Sequence, residues 1–176
     1  MASSEYVILQ GVPTPQAYHD LRKITGLTPP RPEAMVEAVP TALKNTFAGF
    51  VAYERKLMLN DTTPSAGQDV VGMGRSSGDG AMFLLLTDVA VHPDHRRKGI
   101  AKALIKTLVA YIDEHAPHAY VSLVADPLAQ QLYPQFGFEE LGHSVGMFRC
   151  PKLQEDPAWR ESRGFGKATG QGAGSS

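Results

Sequence analysis

The sequence is poor in the features that most readily betray a function. A single cysteine, Cys150, stands among 176 residues; it cannot close an intrachain disulfide, so a stapled secreted fold is excluded and a reducing, cytoplasmic setting is expected. No apolar run approaches the ~20 residues of a membrane-spanning helix. The opening Met1-Ala2-Ser3-Ser4-Glu5 lacks the charged-then-apolar order of a secretory signal. Charge of one sign is also missing: 17 basic and 18 acidic residues leave a formal net charge of -1. Neither nucleic acid nor an anionic membrane is therefore an expected partner, and any anion site has to be local. Gly-Lys-Ser, Gly-Lys-Thr and the three-glycine dinucleotide fingerprint are all absent, which excludes the two commonest nucleotide loops. There is no internal repeat.

The length suits one domain with one core, expected over residues 1–152. Gly164 to Ser176 carries five glycines and almost no large apolar side chain, so residues 153–176 are expected to form a largely disordered tail. Between these limits, turn residues and hydrophobic periodicity predict a strand at Tyr6–Leu9 and a helix at Gln16–Thr25. A second helix is predicted from Glu33 to about Asn45, divided or kinked by Pro40. Strands follow at Gly49–Tyr53 and Val70–Ser76, flanking a polar loop, Asn60–Gln68. Ser77-Gly78-Asp79-Gly80 reads as a hairpin turn into a strand at Met82–Val91. Ile100, Leu104, Leu108 and Ile112 recur every four positions, widened by Ile105 and Val109, and define a helix over Gly99–His115. A buried strand at Tyr120–Ala125, a short helix at Leu128–Phe136 and a final strand within Leu141–Arg149 complete the pattern.

The chemistry concentrates where the Met82–Val91 strand meets the long helix. Arg96, Arg97 and Lys98 stand at the helix start, where the dipole is already positive, and no Ser, Thr, Asp or Asn is placed to cap the first turn. Rules broken together in this way point to a functional site. An anion resting on the free amides around Gly99, Ile100 and Ala101 relieves both faults, and a pyrophosphate fits that place. Gly99 admits a close backbone approach, Ala101 keeps the next turn thin, and Lys102 and Lys106 extend the basic edge. A solvated basic turn is the plain alternative.

RRKGIA, following a strand and a His-Pro turn, resembles the Arg/Gln-x-x-Gly-x-Gly/Ala motif of the GNAT superfamily of N-acetyltransferases. Downstream, Asp126-Pro127-Leu128-Ala129-Gln130-Gln131-Leu132-Tyr133-Pro134-Gln135-Phe136-Gly137-Phe138 is similar to that family's Asn-x-x-Ala-x-x-Leu-Tyr-x-x-x-Gly-Phe helix. Asp126 stands where the family commonly has Asn, and Pro134 where it often has Glu. The resemblance spans about residues 5 to 150 and is specific over roughly 82 to 138.

What the resemblance implies is an α/β (α+β) GNAT fold, a central mixed twisted sheet of six to seven strands flanked by about four helices. It implies acetyl-coenzyme A (acetyl-CoA) as co-substrate, with no metal, and an amine as acceptor. The backbone of Val89, Ala90 and Val91 would pair with the pantetheine arm as an added strand does, and Asp126, Ala129 and Tyr133 would lie beside the coenzyme. Tyr133 matches the residue that protonates the departing thiolate, a role suited to a phenol of pKa about 10 facing a thiol of about 8.5. An alkylamine acceptor is mostly protonated at neutral pH, so a base or water chain is needed; Asp88 is the first candidate, with anchoring of a neighbouring turn as the plain alternative.

His92, Asp94 and His95 do not suggest a metal site, because Pro93 denies the pair a shared helix face. The acceptor site is expected between the first two helices and the loop before Met82, with Leu27, Pro29, Pro30 and Phe47 as an apolar wall and Asp79, Glu33 or Glu37 drawing a cation. A small primary amine (an aryl- or alkylamine, a polyamine or an amino sugar) is the expected acceptor. Protein lysine or N-terminal amines are the rival, and a catalytically silent coenzyme-binding module is the reading from another class. The family also admits a homodimer.

Overall fold

The computed structural model describes residues 5–165. Two compact units divide between Phe138 and Glu139, earlier than the boundary expected at 152.

The first unit is built on a five-stranded sheet of order β1-β2-β5-β6-β7. Its strands are β1 (Tyr6–Gln10), β2 (Ala48–Glu54), β5 (Gly72–Gly78), β6 (Phe83–Val91) and β7 (Tyr120–Ser122). A separate hairpin joins β3 (Met58–Asn60) and β4 (Thr63–Pro64), its second strand inside the Asn60–Gln68 stretch expected to be loop. Neighbours in the large sheet are antiparallel except β6 and β7, which are parallel. That parallel pair needs a crossover, and α4 (Ile100–His115) supplies it.

One face of the sheet carries α4, whose Ile100, Leu104, Ile105, Leu108 and Ile112 are all buried. At roughly 1.5–3 kcal/mol for each aliphatic side chain, that stripe contributes on the order of 10 kcal/mol. Gly74 lets the helix close in, since a Cβ there would meet Leu108 Cδ1 at 2.8 Å. On the other face Tyr18 and Leu21 of α1 (Pro15–Thr25) and Val39 and Leu43 of α3 (Val39–Lys44) bury against Val51, Met73 and Ala90. The helix expected over Glu33–Asn45 is two short ones, α2 (Pro32–Glu37) and α3, parted at Ala38. Pro40 cannot donate to a continuous ladder, and it occupies the first turn of α3, where no donor is required.

A β-bulge in β6 prepares the site. Met73 pairs with Ala90 but Arg75 pairs with Thr87, so Gly74 alone stands opposite both Asp88 and Val89. Asp88 takes the strain, with φ 55°. The extra residue reverses the strand's facing. Leu84 and Leu86 cluster with α4, whereas beyond the bulge Ala90 joins the α1 cluster and Val89 and Val91 pack on the α4 side.

Three expectations fail for local reasons. Leu128–Phe136 is not one helix but two 3-10 turns, Pro127–Ala129 and Tyr133–Phe136; Pro134 offers no amide to the Gln130 carbonyl and its ring crowds it. The strand expected over Tyr120–Ala125 stops at Ser122, and Tyr120 is 56% exposed, as befits a short strand at a sheet edge. No strand forms within Leu141–Arg149 among the described residues, a stretch that contains Gly142 and Gly146.

Those last residues belong to the second unit. It holds α5 (Pro151–Gln154) and α6 (Pro157–Ser162), the latter capped by Asp156, whose carboxylate accepts from the amides of Ala158 and Trp159 at 3.0 and 3.2 Å. Phe148, Trp159 and Phe165 bring their rings within 5.5–5.8 Å of one another. Residues 153–165 are thus partly helical, while 166–176 of the expected tail lie outside the described residues.

Candidate functional site

Between β6 and α4 the chain makes a 3-10 turn at Pro93–His95, an extended step at Arg96 and two left-handed residues, Arg97 (φ 61°) and Gly99 (φ 80°). Gly99 is the N-cap of α4 and supplies no side-chain cap. The first-turn amides of α4 therefore lack an intrahelical or capping partner. They open on a cavity of about 380 Å³ lined by Val91, His95, Arg96, Arg97, Gly99, Ile100, Ala101 and Lys102. Seven of the residues expected to hold the coenzyme line this one cavity. Val89, Ala90, Lys98, Asp126, Ala129 and Tyr133 do not; Val89 and Ala90 pack into the two cores, and the Lys98 ammonium lies 5.8 Å from the centre of the Tyr6 ring.

The cations are arranged rather than loose. Arg96 donates from Nε to the Val91 carbonyl and from Nη2 to the Thr25 carbonyl, both at 3.4 Å. His95, missing from the expected coenzyme set, is a lining residue held from behind: its Nδ1 is 2.9 Å from the Tyr6 hydroxyl and its Nε2 is 3.8 Å from Glu54 Oε1. Its sequence signal was its place in the turn. His92 stands edge-on to His95 at 5.7 Å, and no group of three metal-binding side chains occurs among the described residues.

Asp88 is buried at the bulge. Arg22 Nη1 donates to its Oδ1, Arg75 Nε to its Oδ2 at 2.7 Å, and the Tyr18 hydroxyl to Oδ2 at 3.2 Å. Arg75 reaches onward to the Ala42 carbonyl at 2.9 Å and Thr46 Oγ1 at 2.7 Å, and Arg22 Nε donates to the Thr28 carbonyl at 2.8 Å. Burial, and next the Asp88 carboxylate, push the Tyr18 phenol above its usual range. The expected candidate base thus already holds three donors, and no local pattern marks Tyr18 and Arg22 of α1 or Arg75 of β5 as its partners.

Tyr133 opens the second 3-10 turn, is 9% exposed and meets Phe138 edge-on at 5.9 Å. Burial raises its pKa, with the Asp126 carboxylate as the smaller cause. Asp126 itself is exposed; its carbonyl accepts from the Ala129 amide at 2.8 Å, and Ala129 is half-buried against the α4 core.

The residues expected to line the acceptor site do not converge. Leu27 packs on the α1 cluster, with Pro29 and Pro30 half-buried beside it in sequence, but Phe47 packs on the α4 side, edge-on to Tyr111 at 5.9 Å. Asp79 belongs to the β5–β6 turn, where its Oδ1 accepts from the amides of Ala81, Met82 and Phe83 at 2.9, 2.8 and 3.0 Å. Those bonds hold its carboxyl below the usual range. From Phe83 to Val89 the strand runs about 20 Å at roughly 3.3 Å per residue, so Asp79 is at the wrong end of β6. Glu33 and Glu37 are exposed on α2.

Comparison with known proteins agrees with this architecture. A probable acetyltransferase of meticillin-resistant Staphylococcus aureus superposes with a TM-score of 0.68 at 26% identity, covering 82% of this chain and 98% of that one. The structure of AAC(6')-Iy in complex with the bisubstrate analog CoA-S-monomethyl-acetylneamine shares the fold at a TM-score of 0.56 and 21% identity, covering 84% of this chain and 99% of that one. The chloroplastic GCN5-related N-acetyltransferase 2 of Arabidopsis thaliana is 30% identical over 130 residues, 69% of this chain; the match spans 50% of that relative's length. No described helix is long and apolar enough to cross a membrane. The acetyltransferase (GNAT) domain matches residues 47–140, more than half of the chain, and the chain belongs to the GNAT acetyltransferase family.

Proposed function

We propose that this protein transfers the acetyl group of acetyl-CoA to the primary amine of a small molecule by direct attack within a ternary complex. The observation that carries the reading is the uncapped, cation-flanked start of α4 opening on a cavity. A diphosphate there gains the amides, the dipole and the charges of Arg97 and Lys102 together. From that anchor the pantetheine arm runs along Val89–Val91, on the edge of β6 left open past its last pairing with β7 at Leu85, and the thioester comes to lie near Asp88 and Tyr133. The amine nitrogen attacks the thioester carbonyl, the carbon–sulfur bond breaks, and the thiolate takes the Tyr133 proton, later restored from solvent. The proton lost by the amine passes to water. Asp88, whose carboxylate would have to give up a guanidinium to accept it, holds the bulge in shape instead.

A small acceptor is favoured because the connection before α2 is tied to α1 by the Arg22 bond to the Thr28 carbonyl and by Leu27 packing, an anchored segment rather than one free to open for a peptide. The test is thiol release from acetyl-CoA against a panel of small amines and a lysine peptide. Amine-dependent turnover with the small amines is expected. Saturable coenzyme binding without turnover would identify a silent binding module, and a clear preference for the peptide would transfer the assignment to protein substrates.

A further inference from the structure

The cluster around Asp88 does not balance its charge. Two guanidiniums meet one carboxylate, and side-chain exposure is 7% for Arg75, 19% for Arg22 and 2% for Asp88. The other acceptors are neutral: the carbonyls of Thr28 and Ala42, Thr46 Oγ1 and the Tyr18 hydroxyl. Tyr18 does not supply the missing anion, since its raised pKa keeps the phenol protonated. One positive charge is left over in a place nearly stripped of water, where an uncompensated ion is costly. Asp88 cannot answer it, being engaged by both arginines already.

Of the two cations, Arg22 is the more exposed, 19% against 7% for Arg75. Its Nε serves Thr28, and its Nη1 serves Asp88 and, at 3.4 Å, Tyr18; Nη2 has no hydrogen-bond partner among the described residues. A guanidinium edge of this kind recognises a carboxylate. The residue it braces, Asp88, directly precedes Val89, a step of about 3.8 Å between Cα atoms, and Val89 begins the stretch assigned to the pantetheine arm.

We propose that the acceptor amine carries a carboxylate, bound by Arg22 Nη2, close in covalent structure to the reacting nitrogen. An amino acid fits this description; a polyamine or an amino sugar with several ammonium groups brings more positive charge to a site that already has a surplus. The same surplus favours the neutral, nucleophilic form of the attacking amine over its ammonium. The inference rests on the N-acetyltransferase reading and narrows its substrate class.

The test is a matched acceptor series assayed by thiol release: a free amino acid, its carboxamide, the corresponding amine without a carboxylate, and spermidine. The intact protein should prefer the free amino acid over its carboxamide by about ten- to a hundredfold in kcat/KM, as expected for a charge-assisted contact present in one and absent in the other. Arg22→Gln should bring that ratio to within about twofold of unity, with Arg22→Lys retaining part of it. If Arg22→Gln does not fold, the ratio for the unmodified protein decides alone. A ratio near one, or spermidine as the best acceptor, overturns the inference while leaving N-acetyl transfer standing. Preference for succinyl-CoA over acetyl-CoA also overturns it, because the carboxylate then arrives on the acyl group. Coenzyme binding with no amine turned over defeats the underlying reading and this inference with it.

Discussion

The cluster at Asp88 sits on the β6 bulge and the start of α4 lies past the end of that strand, and they are built on opposite plans. The start of α4 is made of main-chain amides left without partners, with cations gathered where they repel one another. The Asp88 cluster is made of side chains, and its one carboxylate is engaged on both oxygens. An unsatisfied group is a place for something else to bind, whereas a saturated one fixes a shape. The reacting end of the coenzyme is proposed to lie between them, tethered by the start of α4 and aimed by the Asp88 cluster.

Removing the anion at the centre of the Asp88 cluster should have the largest effect. Asp88→Ala leaves Arg22 and Arg75 with no carboxylate, and breaking a buried pair in this way costs about 3–5 kcal/mol. For a chain of this size that lowers Tm by on the order of 10 °C, measurable by calorimetry or urea unfolding. A loss under about 1 kcal/mol would place the pair in the class of solvent-screened contacts and erase the contrast.

Gly99→Val should act the other way round, on binding more than on folding. At φ 80° a side chain strains the backbone by about 1–2 kcal/mol, a modest stability change. Coenzyme affinity, read by titration calorimetry, should fall at least about a hundredfold as the amides are displaced and the approach is blocked. Affinity within a fewfold of the parent would refute the diphosphate site.

Tyr133→Phe separates chemistry from both. It should lower kcat by about ten- to a thousandfold with coenzyme affinity nearly unchanged, the range of general-acid effects. Since burial raises the phenol's pKa, Tyr133 keeps its proton to above its ordinary value of about 10, and the pH profile of kcat should show no falling limb from it below that pH. An unchanged rate removes Tyr133 from the mechanism.

The same contrast explains what could be read from the sequence. The coenzyme turn is contiguous: strand, basic turn, glycine and amphipathic helix occupy residues 82–115 in order, and the faults that mark it are visible locally. The long helix and the β5–β6 hairpin were legible for the same reason. The Asp88 cluster was not, because Tyr18, Arg22, Arg75 and Asp88 join only after α1, β5 and β6 have packed, with partners 66 and 70 residues apart along the chain. A charged residue on an amphipathic helix, such as Arg22, carries no local sign that it turns inward. Phe47 and Asp79 misled for the matching reason: each has the right chemistry, and only the sheet reveals that they lie on the wrong face and at the wrong end. In the Leu128–Phe136 stretch the family's periodicity outweighed Pro134, yet the proline decided the local backbone.

The smallest predicted effect sharpens the comparison at two adjacent residues of β5. Arg75 and Ser76 point to opposite faces. Arg75 is bonded to Asp88, Ala42 and Thr46, while Ser76, fully buried, has a hydroxyl with no hydrogen-bond partner among the described residues. An orphaned buried hydroxyl costs about 1–3 kcal/mol of desolvation, and Ala removes it without opening a void large enough to matter. Ser76→Ala should therefore leave Tm unchanged or raise it by a few degrees, the opposite sign to Arg75→Ala. A fall in Tm would mean that the hydroxyl does have a partner, and that the α4 face of β5 holds a polar contact of its own.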